Sequence, residues 1–141
     1  MDKLESILAK KIERKKIIKS NNSSNEKLKQ ILEHSSYNSK LDQAKELITR
    51  GKNYFERNKE EECKEAYHKA KEILELIYKK NYQNKDLYIA YGEVLTFLAF
   101  LDDALAVYNK GTSLFPHNNT LAERKSHIEN ILNSEVDLNA R

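Results

Sequence analysis

The chain is poor in the residues that punctuate or staple a fold: 141 residues include three glycines, one proline, one cysteine and no tryptophan. Cys63 has no second cysteine to pair with, so no disulfide can close within the chain, a composition that agrees with a reducing compartment. Scarce glycine leaves no glycine-rich phosphate loop and no nucleophile elbow, and no catalytic set is recognisable. No apolar run approaches the roughly 20 residues that cross a bilayer. The start, Met1-Asp2-Lys3-Leu4-Glu5, lacks the basic-then-apolar order of a secretory signal, so a cytoplasmic protein is expected. The formal charge of +3 is too small to imply nucleic acid by its sign.

What is abundant is helix-forming. Lys, Glu, Leu, Ile and Ala dominate, no segment sustains a period of two, and an all-α fold is expected. With 39% hydrophobic and 33% charged content, the chain has room for one modest helical core and an appendage. Leu47, Gly51, Tyr54, Cys63, Tyr67 and Ala70 are answered about 41 positions later by Tyr88, Gly92, Leu95, Ala104, Tyr108 and Gly111. Large, small and large on one helix, then small, aromatic and small on the next, suits two closely packed antiparallel helices.

Residues 3–19 carry Leu4, Ile7, Leu8 and Ile12 at helical spacing, with Lys10, Lys11, Arg14, Lys15, Lys16 and Lys19 crowding the other faces. This predicts a basic amphipathic helix. The polar run Ser20 to Asn25 predicts a loop, with Asn25 capping a short helix that contains Leu28, Ile31 and Leu32, and Tyr37 to Ser39 predicts a further break. Four helices then follow: about Leu41 to Arg57; about Glu60 past Tyr78; from an Asp86 cap through Leu98; and from Asp102 to a stop at Pro116. A last, half-wet helix from about Thr120 suits a terminal cap. The expected organisation is an amino-terminal segment over residues 1–40 and a helical-repeat domain over 41–141.

The second unit resembles the tetratricopeptide repeat. That pattern runs large, large, small, large on its first helix and small, aromatic, small, proline on its second. Tyr88, Tyr91, Gly92 and Leu95, then Ala104, Tyr108, Gly111 and Pro116 take those roles. The first unit fits more loosely, with Arg50 at an apolar position and Glu75 in place of the proline. The offset exceeds the family's 34 by about seven residues, two helical turns or roughly 10 Å, read as an extended second helix. The resemblance covers residues 44–118 and implies a superhelix of antiparallel helix pairs, preceded here by an amphipathic extension.

A tetratricopeptide-like fold implies a non-catalytic module that holds a helical or extended segment of another protein, as an adaptor, complex subunit or chaperone. The implied groove residues are Lys45, Ile48, Lys52 and Phe55, then Asp86, Ile89, Glu93 and Phe97. The other reading is that the amino-terminal segment fills this groove or that these residues are ordinary core. One known mode of the family, capture of chaperone carboxylates, is not expected, because the relevant positions hold Ile48, Lys52 and Ala90. A second interface is expected at Leu76, Ile77, Tyr78 and Tyr82, left uncovered by the overlong helix. The amino-terminal helix, or a second copy in a homodimer, would cover it.

The alternative function is a peripheral protein that meets anionic membrane or RNA through the basic helix of residues 3–19. Its lack of aromatics and the acids Asp2, Glu5 and Glu13 favour a solvated face instead. Cys63 sits at a small packing position among Glu61, Glu62 and Glu65, which oppose thiolate formation. His34, His68, His117 and His127 show no metal-ligand spacing. Glu60, Glu61, Glu62 and Glu65 open a helix, where the dipole favours negative charge. No cofactor, metal or small-molecule substrate is expected.

Overall fold

In a computed structural model, the structure describes residues 22–140, with side chains over 25–134. The basic helix expected over residues 3–19, and the membrane or RNA contact expected of it, lie outside these residues. The fold is all-α. Five helices follow one another: α1 (Asn22–Glu56), α2 (Glu60–Lys79), α3 (Lys85–Phe97), α4 (Leu101–Leu114) and α5 (Asn119–Ala140), with no strand among the described residues. Contacts divide the chain into two compact units, Met1–Ser36 and Tyr37–Arg141.

α1 corrects two expectations. It begins at Asn22, so Ser23 to Asn25 are helical rather than loop, and it runs through Tyr37 to Ser39 without a break. Serine and asparagine interrupt the apolar pattern but cost only a few tenths of a kcal/mol each in a helix, unlike glycine or proline. Tertiary partners offset that cost. The Tyr37 ring lies 5.2 Å from that of Tyr82, and the Asn38 side chain accepts a hydrogen bond from the Tyr82 hydroxyl.

In the second unit α1 buries Leu41, Ala44, Ile48 and Gly51, steps of three and four residues that keep one face inward. α2 answers with Cys63, Ala66, Tyr67, Ala70, Leu74 and Ile77. α3 is the central element, packing on α2, α4 and α5, and it buries seven of its thirteen residues. That is why its sequence shows no broad polar face. α5 covers the free side of α4 with Leu121 and Ile128.

Both hairpins turn in the same way. Asn58 and Ala99, 41 positions apart, adopt positive φ of 61° and 67°. Lys59 N–H donates to the Tyr54 carbonyl at 2.9 Å, and Phe100 N–H to the Leu95 carbonyl at 2.8 Å, closing the preceding helix with the six-residue bond of a left-handed stop. The glycines correspond too. A methyl group on Gly51 would stand 2.6 Å from Tyr67 Cε2, and one on Gly92 would overlap the ring of Tyr108 and stand 2.8 Å from its hydroxyl. Each helix pair thus approaches to a distance at which a tyrosine ring lies flush against backbone.

The cap of α3 differs from expectation, and that of α5 is of the same kind. Asn84, not Asp86, caps α3, its side-chain oxygen accepting from Asp86 N at 2.8 Å and Leu87 N at 3.3 Å. Asn118 does the same for Leu121 N at 3.0 Å in α5. Asparagine reaches the free amides two and three residues on, whereas Asp86 already lies inside the first turn. α2 has 20 residues against 14 in α4, which is the extended second helix anticipated from the offset.

The overhang of α2 is largely covered from within. Ile77 is 1% and Tyr82 8% exposed, and Tyr78 is half-buried, its ring 5.2 Å from Tyr91, 5.9 Å from Tyr88 and beneath the Lys110 ammonium. The expectation that these residues form an uncovered second interface is therefore corrected. α1 begins earlier than expected and puts Tyr37 and Asn38 on Tyr82, while α3 supplies Tyr88 and Tyr91. Leu76 alone of the four remains exposed.

Candidate binding face across α1, α3 and α5

The residues expected to line a groove meet in pairs. Lys45 Nζ lies 3.3 Å from Asp86 Oδ2, and Lys52 Nζ lies 2.9 Å from Glu93 Oε1, each pair joining α1 to α3 at the 41-residue offset of the repeat. Glu93 is held from the other side by Arg124 of α5, whose Nη1 is 3.6 Å from its second oxygen. The line α1, α3, α5 is thus one face stitched by charge. Exposed pairs of this kind contribute little to stability, typically 0.2–1 kcal/mol, but they set register between helices and give both Asp86 and Glu93 a cation.

Between α1 and α3 lies a shallow hollow of 210 Å³ lined by Lys45, Ile48, Thr49, Lys52, Asp86, Ile89, Ala90 and Glu93. Ile48 forms its floor and is only 5% exposed, so it belongs to the core; Ile89 is half-buried. Of the four apolar groove positions, only the phenylalanines stand out from the surface, Phe55 at 60% and Phe97 at 40% exposure. They meet edge to face with ring centroids 6.1 Å apart, and Phe97 stacks on Tyr67 at 3.9 Å. One ring is therefore propped by the core while the other lies open beside it, an apolar step with ion pairs at its foot.

A second hollow, of 250 Å³, opens on the far side of Phe97, lined by Tyr67, Glu93, Thr96, Phe97, Tyr108, Arg124, His127 and Ile128. Thr96, Tyr108, Arg124 and His127 were not anticipated as part of this face. The repeat pattern gives Tyr108 a packing role, and Arg124 belongs to the half-wet helix expected as a cap. The signal was the spacing of Arg124 and His127 about Leu121 and Ile128, which puts them along the edge of the α5 contact stripe. Burial pushes the Tyr108 phenol up from its ordinary value, and hydrogen bonds from Arg124 and Thr96 pull it partly back.

Tyr67 is pushed up to about 12 by burial first and then by the charge of Glu93, so its ring is a neutral wall at any physiological pH. Cys63 is buried, and its thiol is raised by burial and by Glu60, which keeps it protonated. Among the described residues no group of three His, Cys, Asp or Glu side chains could hold a metal ion, and no helix is long and apolar enough to cross a membrane. Comparison with known proteins finds no match: no family model, no curated protein and no solved structure matches this chain.

Proposed function

We propose that this chain is a non-catalytic protein-interaction module, a tetratricopeptide-like superhelix of two helix pairs and a capping helix, which holds a helical or extended segment of a partner protein across α1, α3 and α5. The observation that carries this reading is the pair Phe55 and Phe97, two large aromatic side chains adjacent and open to solvent on a face whose charged groups Lys45, Asp86, Lys52 and Glu93 are paired. Exposed aromatics that touch one another, rimmed by satisfied polar groups, have the make-up of a binding hot spot with its seal. Each such side chain contributes about 1.5–3 kcal/mol when fully covered.

The partner segment supplies an aliphatic or aromatic anchor for the step between Phe55 and Phe97. Around it, the cations that hold Glu93 are more exposed than the acid: the Lys52 side chain is 57% and Arg124 39% exposed, whereas Glu93 is 24%. The test is a pull-down from native lysate with the full chain and with Phe55→Glu. A stoichiometric partner recovered by the parent and lost by the variant, with helical circular dichroism unchanged, supports the proposal; recovery that is unaffected by the substitution refutes this location.

A further inference from the structure

The hollow between α3 and α5 has the size of one side chain. Tyr108 and Ile128, both almost wholly buried, form its floor, and Tyr67 and Phe97 add a wall of two rings stacked at 3.9 Å and 12° from parallel. Its 250 Å³ exceeds the ~150 Å³ of an apolar cavity that holds a benzene ring and falls short of the ~300 Å³ at which pockets for small-molecule ligands begin. A single aromatic or branched aliphatic group fills such a space.

Its charge is unbalanced. Arg124 and His127 line it together with one acid, Glu93. That acid is already held by Lys52, whose Nζ lies 2.9 Å from Oε1, so Arg124 is a second cation on the same carboxylate. Arg124 Nη1 stands 3.6 Å from Oε2, an ion pair beyond hydrogen-bond reach. A guanidinium carries about five N–H donors in a planar fork. Apart from the bond to the Tyr108 hydroxyl, the donors of Arg124 are left for an acid that arrives from outside.

We propose that this hollow receives a second anchor of the bound segment, one large apolar side chain with an aspartate or glutamate beside it whose carboxylate accepts hydrogen bonds from Arg124. The assignment rests on the partner-binding role proposed for this face. Phe97 borders both the hollow and the step beside Phe55, so one short segment reaches both. A basic segment would meet two cations and find the only acid of the hollow already paired, and a neutral one would leave the Arg124 donors to water.

The test is an NMR titration of the full isotope-labelled chain with phenylpropionate, phenylpropionamide and phenylpropylamine, which share a ring and differ in charge. The acid is expected to shift the amides of Thr96, Phe97, Arg124 and His127, to leave those of Leu76 and Phe100 unmoved, and to bind ~5-fold more tightly than the amide, with the amine weakest. In Arg124→Gln, where Lys52 still holds Glu93, acid and amide should bind within ~2-fold of each other at the affinity the parent has for the amide; Arg124→Lys, which keeps the charge, should retain a preference for the acid. No shift at the hollow with any of the three probes, equal binding of acid and amide by the parent, a preference for the amine, or a preference for the acid that survives in Arg124→Gln would each overturn the proposal. No partner protein takes part, so the outcome is independent of the pull-down. A partner lost with Phe55→Glu and no preference for the acid would refute this inference alone, whereas a preference for the acid with no partner recovered would refute the proposed function while the ligand chemistry of the hollow held.

Discussion

Lys52 and Glu93 form a 2.9 Å ion pair, and each stands one residue beyond the glycine of its own helix, Gly51 and Gly92. The shift of 41 residues that relates the hairpins in sequence therefore also relates side chains that touch in space. Lys45 and Asp86 repeat the relationship two turns earlier. Equivalent helices are neighbours, so each hairpin lies beside the next in the same sense, and a surface that continues across α1 and α3 follows from this packing.

The glycines set how closely the helices approach, which gives an unusual sign to an alanine substitution. On helix propensity alone Gly→Ala favours a helix by about 1 kcal/mol. Here Gly92→Ala is expected to destabilise by roughly 1–3 kcal/mol, since the added methyl overlaps the ring of Tyr108, which is 1% exposed and must shift to admit it. Gly51→Ala is expected to cost less, because the methyl meets only the edge of Tyr67 at 2.6 and 2.8 Å. Urea titrations of the three proteins measure the order; a stabilised Gly92→Ala would show that the contact is not what holds the glycine there.

Ala99 offers the opposite case. It holds φ of 67° at a helix stop where glycine is the usual residue. Ala99→Gly should stabilise by about 1 kcal/mol, read as a higher midpoint at unchanged slope in urea. Asn58→Gly, at the matching turn, should gain only a few tenths, because asparagine tolerates the left-handed region.

The two phenylalanines of the candidate face differ in how far they are tied to the core. Phe97→Ala removes a ring stacked at 3.9 Å on Tyr67 and is expected to cost about 1–2 kcal/mol. Phe55→Ala, at 60% exposure, should change stability by less than about 0.5 kcal/mol. Thermal melts of both variants test the contrast. Equal losses would mean that Phe55 is structural and leave the face without its free anchor.

Alkaline pH provides a further check. The phenols of Tyr67 and Tyr91 are pushed up to about 12, chiefly by burial, with Glu93 acting on the first and Glu75 on the second. The fold favours their neutral forms, so their contribution is complete below the ordinary phenol value of 10 and is lost as pH rises from there towards 12. Ultraviolet titration should show these tyrosines ionising late, with the unfolding midpoint falling over the same interval. A midpoint that is flat across pH 10 to 12 would contradict their burial.

Much of this was legible in the chain because packing leaves a periodic trace. Gly51, Gly92, Tyr67 and Tyr108 are constrained by helix contact, and that contact recurs with the hairpin. The overlong α2 was visible as Ile73, Leu74 and Ile77 staying in register with no proline to stop them. Residues whose role comes from distant partners were not visible. Tyr37 and Asn38 look like a helix break until Tyr82, more than 40 positions away, is seen to hold them. Ile48 carries the same apolar label as Phe55, yet burial makes one core and leaves the other open. Arg124 and His127 flank the Leu121 and Ile128 stripe in the sequence, but that they meet Glu93 and Phe97 depends on α5 packing against α3, a contact no local pattern encodes.

The central claim is that a partner protein is held at Phe55 and Phe97. It is tested most directly by site-specific photo-crosslinking in native lysate, with benzoylphenylalanine replacing either Phe55 or Leu76, two positions of nearly equal exposure at 60% and 57% on different faces. The account predicts a discrete adduct with one protein from position 55 and none of it from position 76. The same adducts from both positions, or none from position 55, would contradict it.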